Sequence, residues 1–127
     1  MERVIGLGGP FIKAKNPAAL AAWYEKHLGI HFNGNTYTDW QFTTKEGKKM
    51  LGYNVLSFFG EDSTYFAPSE KQVMINFIVK DLIGLIKNLK KEGVEIAGEP
   101  IEEVYGNFGW ILDPEGNKIE LWEPPGE

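Results

Sequence analysis

The residue best placed to do chemistry is Glu120, near the C-terminus of the chain. Two apolar runs flank the turn sequence Asp-Pro-Glu-Gly-Asn, in which Pro presets the turn and Gly and Asn tolerate positive φ, so the stretch predicts a β-hairpin. Alternation along the second strand puts Lys118, Glu120 and Trp122 on one face. The expected pairing then sets Trp110 beside Glu120 and Phe108 beside Trp122. A carboxylate among aromatic rings indicates the inner wall of a cavity.

Such a carboxylate suits two kinds of chemistry. Burial raises the pKa of a carboxyl group, which can then act as a general base or bind a cationic or hydroxylated ligand. We therefore predict Glu120 as the catalytic residue if the protein is an enzyme. Two alternatives stay open: Glu120 pairs with Lys13 or Lys118, or it is solvated at the rim of the cavity.

Other side chains are candidates for the lining of a small-molecule site. Asn76 is expected on the inward face of its strand together with Met74, where its amide would orient a ligand by hydrogen bonds. Aromatic rings would supply stacking walls, although packing in the core is the favoured interpretation for any single one of them. Lys13 either reaches the mouth of the cavity or extends to solvent. The predicted ligand-binding residues are Phe11, Lys13, Trp40, Phe58, Met74, Asn76, Phe108, Trp110 and Trp122.

Composition restricts the class of protein. A chain of 127 residues is expected to form one domain, and 43% apolar with 24% charged residues is typical of a soluble globular protein. No apolar run approaches the roughly 20 residues that span a bilayer, and the start lacks a signal-peptide pattern, so we expect a cytoplasmic protein without a membrane partner. The absence of Cys excludes thiolate chemistry and disulfides. A net charge of −5 argues against a nucleic-acid partner.

The pattern of elements repeats along the chain. Asn16 and Pro17 predict the start of a helix that ends at Gly29, and Asp81 predicts the start of a second helix that ends at Gly93. The starts differ by 65 positions and the ends by 64, which indicates a duplicated module. With the strands expected around each helix, both halves are predicted to be βαβββ units. The boundaries are residues 1–60 and 72–127, joined by a linker at 61–71, within a single domain at 1–127.

Two segments of the first half need separate mention. Short strands are expected on both sides of the turn at Asn33-Gly34-Asn35, and a third strand is expected over residues 50–59. The polar linker contains Tyr65 and Phe66. These two rings either cover a cavity or anchor the loop to the core.

The closing hairpin resembles that of the vicinal oxygen chelate superfamily, which includes glyoxalase I, the bleomycin-resistance proteins and the extradiol dioxygenases. The matching residues are an aromatic strand, the Asp-Pro-Glu-Gly-Asn turn and the triplet Ile-Glu-Leu that contains Glu120. The first helix also resembles the first helix of this superfamily. The pattern of Gly8, Gly9, Phe11 and Lys13, with Tyr105-Gly106 through Trp110 later, is similar to that of one group of small bacterial glyoxalase-like proteins. The resemblance implies an α+β fold in which two tandem βαβββ modules form an open, cup-shaped mixed β-sheet with one helix per module.

The resemblance also implies a metal site, from which this sequence departs. In metal-binding members the Glu of the closing triplet, here Glu120, is a ligand. The other ligand positions fall on Gly9, near Met74 and near Ser57, and none of these side chains suits a hard divalent ion. A catalytic metal typically has about three protein ligands. We therefore expect no cofactor, with Glu120 as a ligand only if a divalent metal is bound.

Two functions follow from the resemblance. The first is a glyoxalase-related lyase, isomerase or dioxygenase-like enzyme that acts on a small organic substrate in the aromatic-lined cup. The second is a non-enzymatic protein that binds an aromatic or cationic ligand of the antibiotic type through stacking and cation–π contacts. The superfamily further implies a homodimer.

Overall fold

The structure is a computed structural model that describes residues 3–126. Within that range, two helices accompany eight strands. In chain order they are β1 (Val4–Ala14), α1 (Pro17–Leu28), β2 (Tyr37–Trp40), β3 (Asn54–Gly60), β4 (Val73–Val79), α2 (Leu82–Lys91), β5 (Glu95–Ile96), β6 (Ile101–Glu103), β7 (Gly106–Leu112) and β8 (Lys118–Glu123).

The strands form one open mixed sheet, which confirms the predicted α+β fold class. Their order is β2-β3-β1-β4-β8-β7-β5, and β6 pairs with β7 outside this path. The β1–β3 and β4–β8 pairs are parallel. At the centre, β1 and β4 run antiparallel and hold the two halves of the chain together. The same arrangement of a parallel pair therefore occurs on each side of the central pair, as expected of two similar halves.

Both helices begin at the predicted capping residues. The Asn16 side chain accepts a hydrogen bond from the Ala19 N–H at 3.1 Å, and the Asp81 side chain accepts one from the Gly84 N–H at 3.1 Å. These bonds satisfy N–H groups that have no partner inside the helix. At the end of α1, Gly29 adopts a left-handed φ of 69°, which a glycine reaches without steric cost.

One predicted strand does not form. Residues 30–32, before the Asn33 turn, lie outside the sheet. The N–H of Phe32 donates to a side-chain oxygen of Glu25 at 2.9 Å instead of to a neighbouring strand. The ring of Phe32 is buried against Phe58, with ring centroids 5.6 Å apart. The apolar residues here therefore anchor the end of α1, and the strand expected over 50–59 begins at Asn54.

The buried apolar residues form three clusters. One lies beneath α2 and includes Leu82 and Leu121, and a second lies beneath α1 and includes Ala21 and Phe58. The third lies on the concave face of the sheet and joins side chains of four segments: Phe11, Phe66, Met74 and Trp110. The concave face is therefore covered by a loop instead of a helix. In the part of the chain that the structure describes, neither helix is long and apolar enough to cross a membrane.

The packing of α2 leads to a first prediction. Leu82 is fully buried, whereas its neighbour Ile83 is 60% exposed. Leu82→Ala should lower the free energy of unfolding by about 2–5 kcal/mol, because it leaves a cavity between α2 and the sheet. Ile83→Ala, the matched control on the same helix, should change it by less than about 0.5–1 kcal/mol. Urea unfolding of both variants measures the difference, and equal losses would contradict the assigned face of α2.

Candidate functional site

A row of paired residues crosses the concave face of the sheet. Gly9 on β1 pairs with Asn76 on β4, Asn76 pairs with Glu120 on β8, and Glu120 pairs with Trp110 on β7. The hairpin register predicted from the sequence is confirmed, since Trp110 lies opposite Glu120 and Phe108 lies opposite Trp122. Strand pairing alone therefore brings Asn76, Glu120 and Trp110 together.

Glu120 is surrounded by neutral hydrogen-bond donors. Glu120 is only 1% exposed. One carboxylate oxygen, Oε1, accepts from the indole Nε1 of Trp110 at 2.9 Å and from the hydroxyl of Tyr65. The other oxygen, Oε2, accepts from Nδ2 of Asn76 at 2.6 Å. Both oxygens are thus satisfied by N–H and O–H groups, and neither Lys13 nor Lys118 is among their hydrogen-bond partners.

Burial governs the ionisation of this cluster. It raises the pKa of Glu120, although the hydrogen bonds from Tyr65, Asn76 and Trp110 and the charge of Lys118 act in the opposite direction. Burial also raises the pKa of Tyr65, and the negative charge of Glu120 adds to this effect, so the phenol keeps its proton and donates a hydrogen bond to the carboxylate. Burial lowers the pKa of Lys118, against the attraction of Glu120.

The loop before β4 covers the carboxylate. Phe66 is fully buried in the concave cluster, whereas Tyr65 is 37% exposed. The Tyr65 ring stacks on Phe59 with an interplanar angle of 5° and centroids 5.5 Å apart, and it meets Trp110 edge-on at 6.2 Å. The two rings therefore have different roles. Phe66 anchors the loop to the core, and Tyr65 covers Glu120.

Lys118 holds the covering loop in place. It is 9% exposed, and its Nζ donates to the backbone oxygen of Tyr65 at 2.7 Å. The same ammonium lies 5.4 Å from the centroid of the Tyr65 ring and 5.3 Å from that of Trp110. Lys13 makes a similar contact with the Phe66 ring at 5.3 Å. Both lysines thus contact aromatic rings of the covering loop.

A glycine on β1 fixes the side chain of Asn76. Asn76 is 4% exposed, and its Oδ1 is buried without a hydrogen-bond partner. A Cβ atom on Gly8 would lie 1.8 Å from that oxygen. Only a residue without a side chain leaves room for Asn76 to point its Nδ2 at Glu120. The sequence shows Gly8 within a glycine-rich strand, but the close approach depends on the pairing of β1 with β4.

The structure brings together most of the predicted ligand-binding residues. Phe11, Met74, Asn76 and Trp110 lie around Glu120, and Lys13 lies at the edge of this group. Further along the same face, Phe108 and Trp122 stack with centroids 6.2 Å apart and an angle of 6°.

Two predicted residues lie elsewhere. Phe58 points to the opposite face of β3, where it packs against Tyr24 and Phe32 beneath α1. Its neighbour Phe59 occupies the concave face instead, because a shift of one residue along a strand reverses the face. Trp40 is 40% exposed and lines a separate cleft.

That cleft is apolar and has a volume of about 700 Å³. It lies between the N-terminal half of β1 and residues 50–56, and its lining does not include Glu120.

Sequence reasoning missed three residues around Glu120: Gly8, Phe59, and Tyr65 as a hydrogen-bond partner of Glu120. Alternation along the strand predicts Lys118 on the face of Glu120, but it does not predict the contact of Lys118 with the loop. Tyr65 is an aromatic residue in a polar linker, and that contrast is the signal that marks it. The sequence contains no comparable signal for Gly8 or Phe59, whose roles depend on pairing between distant strands.

The matching family model bears the description Glyoxalase/Bleomycin resistance protein/Dioxygenase superfamily and covers residues 11–121. The chain belongs to this superfamily. A comparison with curated proteins found no significant match.

Solved structures agree with this fold. Methylmalonyl-CoA epimerase from Mycobacterium tuberculosis is similar, with a TM-score of 0.62 and 20% identity over 99% of this chain and 92% of the epimerase. A Streptomyces coelicolor methylmalonyl-CoA epimerase variant in complex with 2-nitronate-propionyl-CoA has a TM-score of 0.65 and 16% identity. The match covers 97% of this chain and 99% of the epimerase. The 2,3-dioxygenase LapB from Pseudomonas sp. KL28 has a TM-score of 0.63 and 14% identity over 97% of this chain and 43% of the dioxygenase.

The residues around Glu120 do not fit the divalent metal that many superfamily members hold. Both carboxylate oxygens accept hydrogen bonds from nitrogen or hydroxyl donors, and an indole N–H offers no lone pair to a metal. Gly9, which pairs with Asn76 in the same row, has no ligating side chain. Within residues 3–126, no group of three or more His, Cys, Asp and Glu side chains is close enough to hold an ion.

The raised pKa of Glu120 leads to a prediction on stability. A group whose pKa is higher in the folded state favours folding at low pH, and this contribution is lost as the pH rises above the ordinary Glu value of 4.5. Wild-type protein should therefore lose free energy of unfolding relative to Glu120→Gln as the pH rises above 4.5, by about 1.4 kcal/mol for each tenfold difference in proton affinity between the folded and unfolded chain.

Urea unfolding at a series of pH values checks this expectation. Glu115→Gln, in the exposed turn of the hairpin, is the matched control for the removal of one carboxylate from the chain. Parallel curves for wild type and Glu120→Gln would show that the carboxyl titrates alike in the folded and unfolded chain.

The close approach of β1 to Asn76 yields a prediction for two glycines. Gly8→Ala should turn Asn76 away from Glu120 and cost about 1.5–3 kcal/mol of unfolding free energy, since a hydrogen bond to a charged group is lost. It should also raise the pKa of Glu120 further, because a bond to the charged form is removed. Gly6→Ala is the control: its Cβ would meet nothing nearer than the Ile78 side chain at 3.9 Å. Urea unfolding across pH measures both effects, and equal behaviour of the two variants would count against the role of Gly8.

Proposed function

We propose that this protein binds a small organic molecule on the concave face of its sheet, and that Glu120 accepts a hydrogen bond or a proton from that molecule. The observation that carries the proposal is the buried carboxylate itself. It lies among aromatic rings, its donors converge from two neighbouring strands and one loop, and one of those donors belongs to a partly exposed side chain.

A carboxylate is a costly group to bury for structural purposes alone. Removing a charge from water costs several kcal/mol, and an apolar side chain of similar size would fill the same space without this cost. The remaining cost is visible in the raised pKa of Glu120. Buried acidic groups with raised pKa values and convergent donors are typical of sites that bind or deprotonate ligands.

The proposed site has two layers. Glu120 is the group that would touch the reacting atoms, and Asn76 and Trp110 hold its carboxylate in a fixed orientation. Phe11 and Met74 form the apolar floor. Phe108 and Trp122, stacked further along the face, would extend the wall for a longer ligand, with Lys13 at its edge. Access to Glu120 requires the Tyr65 side chain to move away, because its hydroxyl donates a hydrogen bond to the carboxylate and covers it.

The geometry supports a metal-free enzyme in which Glu120 acts as a base. Deprotonation of a carbon or oxygen acid needs a carboxylate of raised pKa in a water-poor pocket, and Glu120 meets both conditions. The second candidate is a binding protein without catalysis. It is favoured by the neutral donors that already satisfy both oxygens of the carboxylate. From the superfamily we further propose a cytoplasmic homodimer.

A binding experiment tests the proposal. Tag-free protein would be titrated by calorimetry with Ni²⁺, Mn²⁺, Zn²⁺ and Fe²⁺, and then by tryptophan fluorescence with planar aromatic compounds, cationic compounds and methylmalonyl-CoA. Trp110 lies 2.9 Å from the carboxylate, so a ligand at Glu120 should change its emission. We expect no metal binding tighter than micromolar, and at least one ligand whose affinity falls by about tenfold or more in Glu120→Gln, as the loss of a bond to a charged group implies.

Two controls separate the outcomes of this experiment. Trp110→Phe should remove most of the fluorescence response, and Glu115→Gln should leave ligand affinity unchanged. Stoichiometric metal that disappears in Glu120→Ala would show that Glu120 is a metal ligand and would overturn the metal-free site. A ligand whose affinity is the same in Glu120→Gln would bind elsewhere on the protein.

A further inference from the structure

We infer that the site takes a phenol, or another planar ring with a hydroxyl group, and that Tyr65 occupies the place of this ligand when the site is empty. The inference rests on the function proposed above and names its class of ligand. The side chain of Tyr65 is itself a phenol on a loop, so the contacts that it makes show which chemistry the pocket recognises.

Each contact of the Tyr65 ring can be made equally by a free phenol. Its hydroxyl donates to Oε1 of Glu120. Its face stacks in parallel on Phe59 at 5.5 Å, and its edge meets Trp110 at 6.2 Å and 89°. The ammonium of Lys118 lies 5.4 Å from the ring centroid. These partners lie on β3, β7 and β8, so they remain in place when the loop residue leaves.

Tyr65 is the donor to Glu120 that can leave most easily. Asn76 and Trp110 are fixed on paired strands. Tyr65 lies outside the strands and is 37% exposed, whereas the next residue, Phe66, is fully buried and keeps the loop attached. Rotation of one side chain, without unfolding of the loop, therefore opens a space bounded by Phe59 and Trp110 with a carboxylate at its end.

The carboxylate determines which rings are accepted. A ring without a hydroxyl would not replace the hydrogen bond that Tyr65 donates to Oε1. Because the carboxylate is buried, the loss of this bond should lower the affinity strongly. A ring with a carboxylate of its own would bring a second negative charge next to Glu120. A neutral phenol supplies the missing proton donor and restores the network that Tyr65 completes in the empty protein.

The test uses 4-methylphenol, which reproduces the Tyr side chain from its Cβ outward. Calorimetric titration of wild-type protein should show binding, with toluene and 4-methylbenzoate at least about tenfold weaker. Tyr65→Phe keeps the stacked ring but loses the competing hydroxyl, so it should bind 4-methylphenol about tenfold more tightly than wild type. Tyr65→Ala should bind more tightly still. Tyr37→Ala, which removes a tyrosine that is 52% exposed on β2, should behave like wild type.

The outcomes distinguish this inference from the proposed function. Binding of 4-methylphenol to Tyr65→Ala but not to wild type or Tyr65→Phe would overturn the inference, since it would reveal an engineered cavity only. Equal affinity for toluene and 4-methylphenol would overturn it as well. If another compound binds in a Glu120-dependent manner and phenols do not, the phenol class is wrong and the proposed function stands. If no compound binds to wild type or to either Tyr65 variant, both fail.

Discussion

The concave face of this protein depends on one requirement, which is that a buried carboxylate must have hydrogen-bond donors for both of its oxygens. Glu120 obtains them from Asn76, Trp110 and Tyr65. Two of these donors follow from the pairing of β4, β8 and β7, and the third comes from the loop that covers the face. The path of β1 follows from the same requirement, because β1 can pass over Asn76 only where residue 8 is glycine. The sheet, the loop and the glycine therefore serve the same polar cluster.

The sequence predicts well those features that neighbouring residues determine. The turn between β7 and β8 fixes the hairpin register, so the pair Trp110 and Glu120 was predictable. Helix starts at Asn16 and Asp81 were predictable for the same reason, since a capping side chain acts within three residues. The α+β fold class followed from the resemblance of the closing hairpin and from the repeated order of elements.

Features that depend on distant pairing were not predictable in this way. Phe58 and Phe59 are adjacent and chemically alike, and the pairing of β1 with β3 decides which of them faces Glu120. The strand expected at 30–32 was wrong because a side chain of α1, Glu25, satisfies the N–H of Phe32 that a neighbouring strand would otherwise bind. The contact between Tyr65 and Glu120 spans 55 positions, and a loop carries no periodicity from which its direction could be deduced.

The three donors of Glu120 are held by different parts of the fold, and this difference matters for the proposed site. Asn76 and Trp110 lie on paired strands of the sheet, whereas Tyr65 lies in a loop and is held by its own side-chain contacts and by Lys118. Any ligand that reaches Glu120 must therefore replace the contacts of Tyr65, and its apparent affinity is reduced by the fraction of molecules in which Tyr65 occupies the site. In the proposed site, this competition would select against weak, apolar compounds and would favour those that supply both a stacking ring and a proton donor. The covering of Glu120 by Tyr65 and the proposed selectivity would thus have the same physical origin.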